Sequence, residues 1–269
     1  MGKLKFDFHT HHERCGHATG TIREYIEMAI AKGFDMIGIS DHSPHFYSSE
    51  DRLSPKTMAK SEFANYVDEV LHLKEVYKHK IDVLLGVESD YFSGYMDIYK
   101  REYQKYPFDY IIGSVHSLGQ SRVSDKKIWK QLTADGKEKR LETYYHLIQK
   151  SATSGMFQIL GHIDWMKKSY EGFSNLPRDV IDETLCIIAQ NDVAIEVNTS
   201  GARKGLDWFP SDDILERAYY YGVDVTFGSD AHGPDRVGYE FEKVQTRLKE
   251  IGYEKWCYFK KQQKYYTSL

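Results

Sequence analysis

Phe6-Asp7-Phe8-His9-Thr10-His11 is a short apolar run that ends in two histidines. In an extended strand residues two apart share a face, so His9 and His11 aim two imidazoles at one point. Paired imidazoles suit Zn, Fe, Mn or Ni better than Mg or Ca. Residues of similar chemistry recur wherever another apolar run ends. His17 lies in the first loop, Asp41 and His42 follow Met36–Ser40, and Glu88 and Asp90 follow Val83–Val87. His116 follows Tyr110–Val115, and His162 and Asp164 follow Phe157–Leu160. Glu196 and Asn198 lie at the end of Val193–Val197, and Asp230 and His232 follow Val223–Phe227. Seven of the twelve histidines fall at these places. One catalytic Zn takes about three protein ligands, so these histidines with Glu88 and Asp230 suffice for two or three ions. Clustered metals clamp the attacking and leaving oxygens of a phosphoryl group and acidify a water between them. The chemistry expected is hydrolysis, of phosphate esters first and of amides or lactams second.

The runs that carry these residues read as strands alternating with helices. The first strand covers about Leu4–Phe8. Thr21-Ile22-Arg23-Glu24 has the form of a capping box, and Ile22, Ile26, Ala29 and Ile30 follow at helical spacing, with Gly33 as the stop. A long polar loop over Ser43–Pro55 precedes an amphipathic helix with Phe63, Tyr66, Val67, Val70 and Leu71 on one face. Further helices are expected over Tyr95–Lys105, Lys137–Thr153, Pro177–Gln190, from Ser211-Asp212-Asp213, and over Arg236–Glu250, with a polar irregular stretch at Leu118–Gly136. Seven βα units without a Pro/Gly/Ser linker predict a parallel sheet in one domain over residues 1–269. That number suggests a closed or nearly closed (β/α)7 barrel, TIM-barrel-like and a short relative of the eight-fold form, with an open doubly wound sheet as the alternative. In a parallel barrel every strand ends on the face that carries the active site.

Composition sets the outer limits. The chain has 269 residues, 41% of them hydrophobic, and a net charge of −4. That balance argues against a dedicated nucleic-acid binder, and Lys260-Lys261-Gln262-Gln263-Lys264 reads as a solvated tail. Cys15, Cys186 and Cys257 are far apart and odd in number, the profile of a reducing compartment. No run of eighteen apolar residues and no signal core is present, so a cytoplasmic protein without a membrane partner is expected.

The motifs together resemble the PHP (polymerase and histidinol phosphatase) superfamily, and within it the monofunctional histidinol-phosphatase branch. The matching residues are Asp7-Phe8-His9-Thr10-His11, His17, Ser40-Asp41-His42, Gly86-Val87-Glu88, Gly113-Ser114-Val115-His116, Gly161-His162-Ile163-Asp164, Glu196-Val197-Asn198-Thr199-Ser200-Gly201 and Gly228-Ser229-Asp230-Ala231-His232. The resemblance implies a distorted seven-stranded barrel and three divalent ions, Zn, Mn or Fe. It implies that His9, His11, Glu88 and Asp230 hold the first ion. Glu88 would bridge to a second completed by His116 and His162, and His17, His42 and His232 would hold the third. The implied activity is hydrolysis of L-histidinol phosphate to L-histidinol and phosphate in histidine biosynthesis, by a metal-bridging hydroxide.

Around that centre, Arg203 and Lys204 lie in the loop after the sixth strand and are candidates for phosphate binding. Asp41 and Asp164 are candidates for the general acid, or for carboxylates that orient a liganding histidine. His45 is placed for a substrate lid and Asp90 for the cationic or imidazole part of a substrate. His12 points away from His11 along a strand and is not expected to ligate. Two other functions share these motifs: a phosphodiesterase or nuclease, which would want a basic groove, and a structural metal-binding module, which would show degenerate ligands.

Overall fold

A computed structural model describes residues 3–170 and 178–269. The expected alternation is present. In chain order, β1 (Phe6–Asp7) leads to α1 (Ile22–Ala31), β2 (Met36–Ile39), α2 (Phe63–Tyr77), β3 (Asp82–Leu85), β4 (Glu88–Asp90) and α3 (Met96–Tyr103). Then come β5 (Ile112–Ser114), β6 (Ser117–Leu118), β7 (Ser121–Arg122), α4 (Lys126–Gln131), α5 (Ala134–Thr153), β8 (Ile159–Leu160) and α6 (Arg178–Gln190). Last are β9 (Ala194–Asn198), α7 (Asp212–Tyr220), β10 (Val225–Gly228), α8 (Phe241–Ile251), β11 (Lys255–Lys260) and β12 (Gln263–Ser268). Pro177, the expected start of α6, lies outside the described residues.

This is an α/β fold with two parallel sheets, one in the order β1-β2-β3 and one in the order β10-β9-β8-β5-β4. Phe8 N–H donates to Phe227 O at 3.1 Å, which ties β1 to β10. At the other seam Glu88 N–H donates to Ser40 O at 3.0 Å, while Ile112 N–H donates to Val87 O at 2.9 Å. The strand expected over Val83–Val87 therefore stops at Leu85, and a separate strand that begins at Glu88 serves the other sheet. Tyr110 packs against the break. Its ring fills the space beside Gly38 and Gly86, where any Cβ would collide with it, and its hydroxyl donates to Phe8 O at 2.6 Å.

Local signals account for the helices. The Thr21–Glu24 capping box closes in both directions at the start of α1. In α2 the buried face is Phe63, Tyr66, Val67, Val70, Leu73 and Tyr77. Leu73 joins the expected face, and Leu71 is half-buried and packs against the core. The stretch 118–136 is not irregular: it holds the β6–β7 hairpin and α4, and α5 begins at Ala134, capped by Thr133, three residues before the expected Lys137. The last helix starts at Phe241, not Arg236, because residues 234–236 form a separate 3-10 turn.

The Lys260–Lys264 segment is not a tail. It is the turn of the antiparallel β11–β12 hairpin, which packs under the N-terminal ends of the strands. Trp256 is buried, its ring 4.8 Å from Phe6 and 4.9 Å from Phe241. Lys260 pairs with Asp82, Lys264 with Asp192 and Asp224, and Gln262 N–H donates to Asp109 O at 2.8 Å. Among the described residues no helix is long and apolar enough to cross a membrane.

Candidate metal centre

The opposite ends of the strands converge on Glu88. Its carboxylate lies 2.7 Å from His42 Nδ1, 3.0 Å from His162 Nε2, 3.4 Å from His9 Nε2, 3.5 Å from His11 Nε2 and 3.6 Å from His116 Nε2. Asp230 Oδ1 lies 3.1 Å from His11 Nε2, 3.3 Å from His232 Nδ1 and 3.8 Å from His9 Nε2. His17 Nε2 and His232 Nε2 are 3.0 Å apart. All nine expected ligands therefore meet in one place. Among the described residues four sets have their ligand atoms within 4.8 Å of one another: His9–His11–Asp230, His11–His42–His232, His42–Glu88–His116 and His11–Cys15–Asp41. Cys15 is engaged elsewhere: its thiol donates to His12 O at 3.2 Å, and burial, with Asp41 beside it, pushes its pKa up, against thiolate formation.

Three carboxylates fix the imidazoles from behind. Glu196 Oε2 is 2.7 Å from His9 Nδ1, Asp41 Oδ1 is 3.2 Å from His11 Nδ1, and Asp90 Oδ1 is 2.6 Å from His116 Nδ1. A carboxylate on Nδ1 holds the proton there and leaves Nε2 as a lone-pair donor facing the centre. His9 Nε2, His11 Nε2 and Glu88 Oε2 are buried and, despite these close ion-pair contacts, make no aligned hydrogen bond among the described residues. Buried polar atoms are almost always satisfied, so imidazole and carboxylate atoms left open toward one point are the donor set a divalent cation takes.

The electrostatics agree. Burial raises the pKa of Glu88, but His42, His9 and His116 outweigh it and hold the carboxyl well below its usual range. Asp230 is lowered in the same way, chiefly by His9. Burial lowers His11, yet Asp230 and Asp41 bring it up to about 9; His116 rises to about 9 through Asp90 and Glu88. His17 falls to about 3 and His42 to about 4, because burial is joined by neighbouring imidazoles. Such a crowd of acids and imidazoles is what a cation would compensate.

Backbone geometry was also given up for this cluster. His162 (φ 26°) and Asp230 (φ 51°) lie in the left-handed region, which costs of order 1–3 kcal/mol for a non-glycine residue. Gly228 is required as well, since a Cβ there would strike Glu196 and His9.

A cavity of about 790 Å³ opens over the centre. His45 and Asp90 line it, as does Arg203, whose Nη1 is 3.7 Å from Asp235 and whose guanidinium is 5.6 Å from the centre of the Tyr239 ring. The side chain of Lys204 lies outside the described residues. Asp90, expected at the substrate, is occupied in part by His116. Asp41 does not line the cavity; it accepts from His11, Cys15 N–H and His42 N–H, the geometry of a residue that positions ligands rather than a general acid. Asp164 is buried, accepts from Ser211 N–H at 2.8 Å, and pairs with Lys167 at 3.0 Å. Burial raises its pKa despite Lys167, as a general acid needs, but it too stays out of the cavity wall.

Sequence reading missed Arg122 and Arg236, two further cations in the wall. Arg122 is carried there by the unexpected β6–β7 hairpin. The role of Glu196 was not legible either, because pairing with His9 depends on contact between residues 187 positions apart.

The chain is 31% identical to the histidinol-phosphatase of Bacillus subtilis over 268 residues, covering 90% of this chain and 99% of that one. It is 31% identical to the probable histidinol-phosphatase of Deinococcus radiodurans over 255 residues, 91% and 93% of the two chains. Its fold is similar to the crystal structure of the histidinol phosphate phosphatase of Lactococcus lactis complexed with zinc, L-histidinol and phosphate. The TM-score is 0.79 at 23% identity, over 97% of this chain and 98% of that one. A PHP domain match runs over residues 7–200, from the first ligand candidates through His162 to Asn198. The chain belongs to the PHP domain family.

Proposed function

We propose that the chain is a metal-dependent phosphomonoesterase that hydrolyses L-histidinol phosphate to L-histidinol and phosphate. The observation that carries the metal-dependent part is the convergence of the buried Nε2 atoms of His9 and His11 with Glu88 Oε2, crowded within 3.5 Å but making no aligned hydrogen bond. The names of the relatives that match along most of the chain support the substrate. His9, His11, Glu88 and Asp230 would hold one ion, Glu88, His116 and His162 a second, and His17, His42 and His232 a third. Divalent ions there supply Lewis-acid polarisation of the phosphoryl group and a more acidic water. Zn, Mn and Fe all suit the donor set.

The residues of the chain itself bind and orient. Glu196, Asp41 and Asp90 hold His9, His11 and His116 in the Nδ1–H tautomer. Arg203, together with Arg122 and Arg236, gives the cavity a cationic wall against which the phosphate dianion is held and its charge in the transition state offset. His45, 5.5 Å from Phe92 ring to ring, offers an aromatic surface to the imidazole of the substrate, and Asp90 faces its ammonium group. Asp41 and Asp164 hold neighbouring groups rather than the substrate.

The tie of β1 to β10, and the shared seam at β3 and β4, support a closed, distorted barrel of seven strands when β3 and β4 are counted as one. We place this barrel in one domain over the chain. Three free cysteines support a reducing compartment, the cytoplasm. The partner is a small phosphate ester, and a net charge of −4 favours it over nucleic acid. The experiment is steady-state hydrolysis by metal-reconstituted protein of histidinol phosphate, a dinucleotide and a nucleoside monophosphate. A kcat/KM highest for histidinol phosphate and abolished by chelation is expected. Equal or better turnover of the dinucleotide would overturn the assignment.

A further inference from the structure

His12 is a buried histidine beside the centre that is not among the nine expected ligands. It is 1% exposed. Its Nδ1 accepts from Arg14 N–H at 3.4 Å, as the cap of the 3-10 turn Glu13–Cys15. An imidazole that accepts at Nδ1 carries its proton on Nε2. That Nε2 is in ion-pair contact with Asp41 Oδ2 at 3.4 Å, not aligned as a hydrogen bond, and has no hydrogen-bond partner among the described residues. The ring is held in plane by Tyr66, stacked at 5.4 Å and 22°. The Tyr66 hydroxyl is fixed in turn between the carbonyls of Ile39 at 2.8 Å and Gly86 at 2.6 Å.

Asp41 therefore stands between two imidazoles. Oδ1 takes His11 Nδ1 and His42 N–H, while Oδ2 takes Cys15 N–H at 3.1 Å and faces His12. His11 is shared by three of the four metal groups, so its orientation matters to the whole centre. We propose that His12 is a positioning residue of the metal centre, which clamps the Asp41 carboxylate from behind so that Asp41 presents His11 Nε2 to the ion. The inference rests on the metal reading above, not on the identity of the substrate.

The test compares His12→Phe, which keeps the stacking and loses the donor, with His12→Gln, which restores an N–H donor. Zn affinity is measured by competition with a chromophoric chelator, and the visible spectrum of the Co-substituted protein is recorded. Thermal unfolding of the metal-free proteins serves as the control for folding. H12F is expected to lose about 10-fold or more in metal affinity, in the range for partners of metal-ligating histidines, and to shift the Co spectrum. H12Q should recover part of the loss. Asp41→Asn should weaken binding further, and H12F/D41N should bind no worse than D41N alone, because the two act through one carboxylate. Wild-type affinity in H12F, or losses that multiply in the double variant, would overturn the proposal. Should H12F fail to fold, H12Q with D41N decides by the same non-additivity. A wild-type protein that binds no Zn would instead refute the metal reading itself.

Discussion

Glu196→Gln removes one charge and no volume, and the surroundings of Glu196 make that change severe. Oε2 accepts from His9 Nδ1 at 2.7 Å, while Oε1 accepts from His162 N–H at 3.0 Å and Asn198 Nδ2 at 2.8 Å. Every neighbour is a donor. A glutamine has one acceptor and one NH2, so whichever way it turns, an N–H meets an N–H. If the amide faces His9, the imidazole must move its proton to Nε2, the atom that should face the ion. If it faces His162, the backbone at the left-handed ligand residue loses its anchor. The hydrogen bond at stake is charge-assisted and buried, worth about 1.5–3 kcal/mol, or about one to two decades in an equilibrium constant. Metal affinity of E196Q, measured against a chromophoric chelator, should fall by about 10- to 100-fold relative to wild type. The metal-free variant should still unfold cooperatively, which separates a lost ligand orientation from a lost fold. An affinity within about twofold of wild type would refute the idea that Glu196 sets the tautomer of His9, since no orientation of the amide satisfies all three donors.

Arg203→Ala should raise KM for histidinol phosphate about tenfold or more with kcat little changed, if its guanidinium meets the ground-state phosphate; an unchanged KM removes Arg203 from the site. The metal-free protein should lose stability on the alkaline side. His11 and His116 are raised from 6.5 to about 9 in the fold, so their stabilisation is fully present below about pH 6.5 and is lost as pH rises through about 9. A thermal midpoint of metal-free protein that holds steady or climbs across that window would contradict the sign. Trp256→Ala should cost about 3–5 kcal/mol in urea unfolding, the range for deleting a buried large aromatic, because the indole packs on Phe6 and Phe241; a loss below 1 kcal/mol would show that the hairpin is peripheral.

The centre was legible because its ligands obey a local rule. All but His17, in the first loop, lie where a short apolar run stops, and strand ends in a parallel α/β fold share a face. What depended on the chain folding back was not legible. Asp41 reads equally as a general acid or as a carboxylate that orients a histidine, and only the contacts of Asp41 with His11 and of Glu196 with His9 favour the orienting role. His12 points away from His11 on a regular strand, but β1 ends at Asp7, and the residue turns inward against Asp41. The β11–β12 hairpin hid for a different reason. Its turn is Lys261-Gln262, both at positive φ (51° and 60°), where glycine or asparagine is the usual sign. Without that sign, Lys260–Lys264 looks like solvated charge. The broken third strand was hidden too, since Gly86 reads as part of an apolar run until Tyr110 is seen to fill its side.

That hairpin also bears on the order of events during synthesis. On the ribosome all the parallel strands emerge before Lys255–Ser268. Until the hairpin arrives, Phe6, Phe227 and Phe241 lack the cover of Trp256, and the acidic residues at Asp82, Asp192 and Asp224 lack their lysines. The ligand-bearing ends of the strands can meet earlier, because the hairpin makes no part of them. A nascent chain whose strand ends met at that point would still expose aromatic surface at the opposite end, the kind of surface that chaperones shield.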